Sequence, residues 1–331
     1  MSVATVRRRI SEDMSSQVLS SMLDTGFFPK ECRALNRFTS MLPLRMAVRL
    51  DECILASEIY SMLSRCTVRS VTLVLSADEE FMSTVSALQD TEAWNNVERL
   101  TLEWDSDAEA VLEPITRLPP QLRHLKCMDE YGAHVSFELP TLPASLESID
   151  LSSCHDFDGD IRPLPPALKV LKLGGSFDMP LGPLPPSLQV LELDGRFNHP
   201  LGPLPPGLED LIFVRCREPC VFDQTLGPLP ASLKRLHLSH RFNQPLGLLP
   251  SNLESLELFQ YNHPLTPLPP TLARIVINSG REPCYAHRLD RIPPTLKEVT
   301  IAREYRFLTD FGSDVGITYA VDDYFDYGYD D

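Results

Sequence analysis

From residue 68 to residue 301 the apolar residues keep one spacing. Leu168, Leu171 and Leu173 show it, as do Leu188, Leu191 and Leu193, and Leu233, Leu236 and Leu238. The pattern, LxxLxL, occurs eleven times, beginning with Val68, Val71 and Leu73 and ending with Leu296, Val299 and Ile301. Its last four positions alternate polar and apolar, which is the period of a strand with one covered side. Each copy therefore predicts one short strand, and copies that all run the same way make a parallel sheet. Because crossovers between parallel strands are right-handed, the expected fold is α/β: a right-handed solenoid with one parallel β-sheet.

A second string, LPxxL with Ile allowed at its first position, leads into nine of these strands. It starts at residues 118, 142, 164, 184, 204, 229, 249, 268 and 292. Central copies extend it to PLGPLPP. Proline cannot donate a helical hydrogen bond and it biases the preceding residue toward extended geometry. The return segments are thus predicted to be a thin, extended, proline-rich back. Ser76–Trp94 differs, being long enough and polar enough on one side to form a helix. One coil buries about five apolar side chains at roughly 1.5 to 3 kcal/mol each. Ordering some twenty residues costs about 1 to 2 kcal/mol apiece, so no coil stands alone and only the stacked array folds.

An aromatic residue followed by Asn or Asp closes the repeat: Phe157-Asp158, Phe177-Asp178, Phe197-Asn198, Phe222-Asp223, Phe242-Asn243 and Tyr261-Asn262. Asn and Asp share an acceptor oxygen but no donor, so their common task is to accept a backbone N–H bond in a turn. The aromatic reads as a core plug at the corner where the strand ends. Phe197-Asn198-His199-Pro200-Leu201, Phe242-Asn243-Gln244-Pro245-Leu246 and Tyr261-Asn262-His263-Pro264-Leu265, each followed by LPxxLxxLxL, resemble the FNIP repeat family, a short variant of the leucine-rich repeat. The resemblance covers residues 137–301. It implies a solenoid that binds protein and carries no enzyme chemistry.

Residues 1–67 change to helix-compatible runs, MSSQVLSSML and RMAVRLDECILASEIYSML, with Pro29 and Pro43 as breaks. They are expected to form a helical cap over the first coil or a degenerate F-box-like segment. Leu19, Leu23, Leu35 and Phe38 are the candidate contacts to a ubiquitin-ligase adaptor, although the usual opening Leu-Pro is missing. Residues 302–331 read as a C-terminal cap, built on Phe307, Leu308, Phe311 and Ile317, followed by an acidic, aromatic tail.

Composition narrows the function classes. Of the 30 prolines, 28 lie between Pro114 and Pro294, which marks a different kind of region from about residue 110 onward. The formal charge of −16 argues against nucleic acid and anionic membranes as partners, since phosphate contact needs a basic surface. Neither an apolar stretch after the basic N-terminal run nor a membrane-length apolar window is present, and the eight cysteines are irregularly spaced. These features predict a cytoplasmic protein with reduced thiols. The sequence has no phosphate loop, nucleophile elbow, HExxH or CxxC motif, so no cofactor, metal or catalytic residue is assigned. Cys216, Cys220 and Cys284 belong to a duplicated REPC insertion, read as structural.

The residues that alternate with the core positions point outward together. Their middle column is Lys126, Asp150, Lys172, Glu192, Ile212, His237, Glu257, Val276 and Thr300, flanked by Arg99, Glu103, Asp194, Asp210, Arg235, Phe259 and Arg274. Opposite charges on adjacent strands suffice to explain the first four as a solvated face. Arg and aromatic residues dominate interface energetics, which makes this face the candidate protein-binding surface and Phe259 its most pointed member. The pattern names no particular partner and sets no oligomeric state.

Overall fold

The structure is a computed structural model that describes residues 46–50, 68–75, 79–104, 115–129, 137–214, 220–265, 267–277, 285–289 and 291–319. The chain divides into two compact units, residues 1–155 and 156–331. Each is a parallel β-solenoid in which consecutive strands are neighbours.

The first unit contains β1 (Met46–Leu50), β2 (Val68–Leu75), β3 (Arg99–Trp104), β4 (His124–Asp129) and β5 (Ser148–Ser153). β1 corrects the sequence-based expectation, since it falls in a run read as helix-compatible. The segment MAVRL also alternates, and pairing with β2 from Ala47↔Ser70 to Leu50↔Leu73 selects the strand. Between β2 and β3 the chain forms α1 (Glu79–Leu88) and α2 (Glu92–Asn95), where Ser76–Trp94 predicts a helix. Thr91 caps α2, its hydroxyl oxygen accepting from Trp94 N at 3.2 Å, and Val85, Leu88 and Trp94 are buried.

The second unit contains β6 (Val170–Leu173), β7 (Val190–Asp194), β8 (Asp210–Val214), β9 (Arg235–His237), β10 (Ser255–Leu258), β11 (Arg274–Ile277), β12 (Glu298–Ile301) and β13 (Gly316–Tyr319). Its register is that of the sequence repeat. Leu171 pairs with Leu191, Leu191 with Leu211, Leu211 with Leu236, Leu236 with Leu256, Leu256 with Ile275 and Ile275 with Val299. All seven side chains are at most 1% exposed, so one unbroken aliphatic row lies behind the sheet. β13, paired with β12 from Glu298↔Gly316 to Ile301↔Tyr319, adds a strand beyond the last LxxLxL copy, in a region read from sequence as a cap.

Among the described residues from 156 to 301 none is helical. The LPxxL string is a turn: Leu188 N donates to Pro185 O at 3.1 Å, and Leu168, Leu208, Leu233, Leu253, Leu272 and Leu296 repeat the bond with their own prolines. The next two amides reach the preceding coil, Gln189 N and Val190 N both donating to Lys169 O. Ser187 hydroxyl donates to Pro166 O and Leu168 O, both at 2.7 Å, and Ser232, Thr271 and Thr295 repeat this in later coils. Turn carbonyls that no strand would satisfy are thereby paired between coils.

The corner holds two further ladders. Rings of Phe157, Phe177, Phe197, Phe222, Phe242 and Tyr261 stack with centroids 6.1 to 6.3 Å apart, at interplanar angles of 5° to 17°. These rings are the plugs that the sequence predicts. Where Tyr takes over from Phe, the hydroxyl has a use: Leu246 N, Leu265 N and Leu289 N donate to the Oη of Tyr261, Tyr285 and Tyr305 at 3.4, 3.2 and 3.1 Å. In the second ladder each Asn or Asp following the aromatic accepts from the next coil. Asp158 Oδ1 takes Asp178 N, Asp178 takes Asn198 N, Asn198 takes Asp223 N, Asp223 takes Asn243 N and Asn243 takes Asn262 N. The acceptor role agrees with the sequence reading, and its partner lies one coil away rather than within the turn. At Gly195 a Cβ would stand 1.9 Å from Gly175 O, so the close approach of two coils requires glycine there.

The ladder predicts a graded response at Asp223, whose Oδ1 accepts from Asn243 N at 2.9 Å. Asp223→Ala removes the acceptor and should cost about 1 kcal/mol in urea unfolding, whereas Asp223→Asn keeps it and should cost less than half as much.

Candidate interaction surface

In the second unit the outward side carries three groups of paired charges on neighbouring strands. Lys172 Nζ lies 2.8 Å from Glu192 Oε2 across β6 and β7. Arg235 of β9 holds Asp210 of β8 with both ends of its guanidinium, at 2.6 and 2.5 Å. Glu257 of β10 pairs with Arg274 of β11, which also reaches Glu298 of β12 at 3.4 Å. His237 on β9 sits 3.8 Å from Glu257 Oε2 through Nδ1, and its Nε2 is 3.0 Å from Ser255 Oγ. Parallel pairing places these residues side by side because every strand begins at the same point of the repeat.

Burial sets the protonation of His237. Partial removal from water holds its imidazole below the usual range, with Glu257 opposing and Arg274 and Arg235 adding to the shift. Asp210 is 6% exposed, and its carboxylate depends on Arg235 for compensation.

Two candidates leave this face. Phe259, 3% exposed, stacks on His240 with centroids 4.4 Å apart, and it does not offer its ring outward. Asp194, 3% exposed, accepts from Gly195 N at 2.6 Å. Phe259 follows the last residue of β10, where the alternation that assigns a side no longer applies, whereas Asp194 is the last residue of β7, in register with Val214, and its carboxylate is held by the amide of the next residue. In the first unit Glu103 is likewise buried. Within the middle column Val276 is buried too.

The first unit presents Arg99 as exposed, with Lys126 and Asp150 half-buried and in register. Asp150 Oδ1 accepts from Ser152 N and Oγ at 3.2 and 2.7 Å. His124, which the sequence reading passed over, is the register partner of Arg99, and burial followed by the Arg99 guanidinium lowers its pKa. Ser255 and Glu298 were also missed, although they occupy the same first strand position as Arg235 and Arg274.

Leu19, Leu23, Leu35 and Phe38 lie outside the described residues, as do Cys216 and Cys284. Cys220 is buried, which pushes its thiol up to about 11. Among the described residues no group of His, Cys, Asp and Glu could hold a metal ion, and no helix is long and apolar enough to cross a membrane.

Residues 222–261, which span the corner from Phe222 through β9 and β10 to Tyr261, match the sequence profile of the family described as FNIP Repeat. This segment carries the FNIP repeat. No curated protein gives a match to it. Among solved structures it is similar to CroV588, described as a novel circular leucine-rich-repeat protein, at 18% identity and a TM-score of 0.52, covering 84% of this chain and 46% of that one. YopM from Yersinia enterocolitica WA-314 aligns at 20% identity and a TM-score of 0.38, over 71% of this chain and 54% of YopM. This chain thus spans about half the length of each. The likeness to CroV588 places the FNIP repeats on a leucine-rich-repeat-like fold and goes no further than fold.

A pH dependence follows from His237, whose folded pKa lies below its unfolded value near 6.5. The stability contributed by its neutral form is present above pH 6.5 and is lost as pH falls through the folded value. Thermal unfolding should show this loss, and His237→Gln should flatten it relative to the unsubstituted protein.

Proposed function

We propose that this protein is a non-enzymatic interaction scaffold that recognises a protein partner through the outward face of its repeat sheet. The observation that carries the reading is the row of charged groups over β9–β12: Arg235, held by the buried Asp210 of β8, stands beside the linked group of His237, Glu257, Arg274 and Glu298 on a parallel sheet. A surface of this kind presents charges of both signs at set spacings and so discriminates partners by complementarity more than by buried apolar area. Side chains held by their neighbours also lose little freedom on binding. The leucine-rich-repeat-like fold, common among protein-binding scaffolds, supports the reading, as does a sequence without catalytic motifs.

Phe259 has no part in this surface. Arg99, Lys126, Asp150, Lys172 and Glu192 are proposed as contacts on the same grounds of exposure and register. The test begins with proximity labelling to obtain a partner, followed by titration of that purified partner with the combined variant Arg235→Ala, Glu257→Ala, Arg274→Ala. Affinity should fall at least tenfold while circular dichroism keeps the sheet signal; undiminished affinity would place recognition elsewhere.

A further inference from the structure

His237 occupies a place on the sheet face where a proton changes the balance of charge. Its register partners are Ile212 of β8 and Glu257 of β10, with Glu192 of β7 and Val276 of β11 one strand further out. On its own strand Arg235 turns to Asp210 of β8. On the other side Arg274 of β11 pairs with Glu257 and reaches Glu298 of β12, while Glu192 is taken by Lys172 of β6. Among the described residues, the charged groups that act on the ring are Glu257, Arg274, Arg235 and Asp210.

The two ring nitrogens meet different chemistry. Nδ1 is 3.8 Å from Glu257 Oε2, and an ionised carboxylate only accepts, so this nitrogen carries the hydrogen of the neutral ring. Nε2 is 3.0 Å from Ser255 Oγ and accepts from that hydroxyl. Ser255 is what lets the site take a second proton. A hydroxyl both donates and accepts, and its hydrogen rotates to suit. When Nε2 gains a hydrogen, Ser255 turns from donor to acceptor and neither group is left unpaired. A backbone amide or carbonyl in its place would suit one form alone. Burial opposes the added charge most, Glu257 favours it, and Arg274 and Arg235 oppose it, so the change falls below the ordinary histidine value near 6.5.

The proton acts through charge. Asp210, Glu257 and Glu298 outnumber Arg235 and Arg274 by one, so this group carries one net negative charge with His237 neutral and none with His237 protonated. We propose that His237 is a proton-operated control of the sheet face: neutral, it leaves an excess negative charge that holds a basic group of the partner; protonated, it cancels that charge and releases the partner. The inference rests on the sheet-face reading. A basic partner follows from complementarity, since a chain of formal charge −16 draws cations from a distance. The proton comes from solvent and adds to the Nε2 lone pair, with no other bond made or broken. The imidazolium also competes with Arg274 for Glu257, and a guanidinium freed from Glu257 repels a cation of the partner.

Side-chain NMR of the full chain, titrated from about pH 8 to about pH 4.5, tests the proton step. At the upper end His237 should show the Nδ1–H form, and below about pH 6.5 it should take up one proton with the sheet intact. Glu257→Gln should lower its proton affinity at least about threefold, and Arg274→Ala should raise it by at least as much. The release step uses the partner purified through proximity labelling, titrated about one pH unit above and below the His237 midpoint. Affinity should be at least about threefold weaker at the lower pH, and His237→Gln should remove the difference between the two. A ring in the Nε2–H form, or one that stays neutral until the sheet unfolds, would overturn the proposal. So would a partner that responds to the combined variant Arg235→Ala, Glu257→Ala, Arg274→Ala yet binds equally at both pH values, or whose pH response survives His237→Gln; the sheet-face reading would then stand without the switch. A partner indifferent to the combined variant would overturn that reading and the switch together.

Discussion

Each coil of this protein finishes its neighbour's core, and that dependence shapes everything else in the chain. A strand of three to five residues in the second unit exposes an aliphatic pair that has nothing of its own coil to pack against on either side. Placing Leu191 between Leu171 and Leu211, and repeating that placement as far as Val299, removes those side chains from water while every strand gains parallel hydrogen bonds. In-register stacking also dictates what the connecting residues must do. Any polar group at a corner meets its own equivalent one coil away, so the side chains retained there are the ones that can bond to a copy of the same position. Asn and Asp accept from the next backbone amide, Ser and Thr donate back to turn carbonyls, and tyrosine hydroxyls accept where phenylalanine would leave an amide unpaired.

Much of this is legible in the amino-acid order because the repeat is itself the physical mechanism. The spacing LxxLxL specifies strand, direction and register together, and proline in LPxxL shows that the return is not helical. The aromatic corner plug also follows from sequence alone. What escapes is whatever depends on where a strand stops. Phe259 and Asp194 continue the outward alternation on paper, yet Phe259 lies just past the end of β10 and Asp194 is the last residue of β7, and both side chains are buried. β1 and β13 escape for another reason, since neither carries the full repeat signature and each is drawn into strand geometry by pairing with the adjacent coil. The role of the Asn and Asp residues is half visible: chemistry assigns them as acceptors, but only stacking reveals whose amide they accept.

Two unlike surfaces emerge from one construction. The strand side offers charges of both signs, and the return stretches, 179–188 and 199–208 among them, are proline-rich and contain no Asp, Glu, Lys or Arg. Both are periodic for the same reason, and periodicity gives a rigid array of sites from a short stretch of coding pattern. Proline strengthens the arrangement from the unfolded side, because a chain with restricted backbone freedom loses less entropy on being ordered.

Native-state hydrogen exchange is the most direct test of the claim that coils fold only together. The amides of Leu191, Leu211, Leu236 and Leu256, on four separate coils, should open with one common free energy, equal to that of global unfolding of the second unit. Four distinct free energies, with individual coils opening while their neighbours stay closed, would contradict the account.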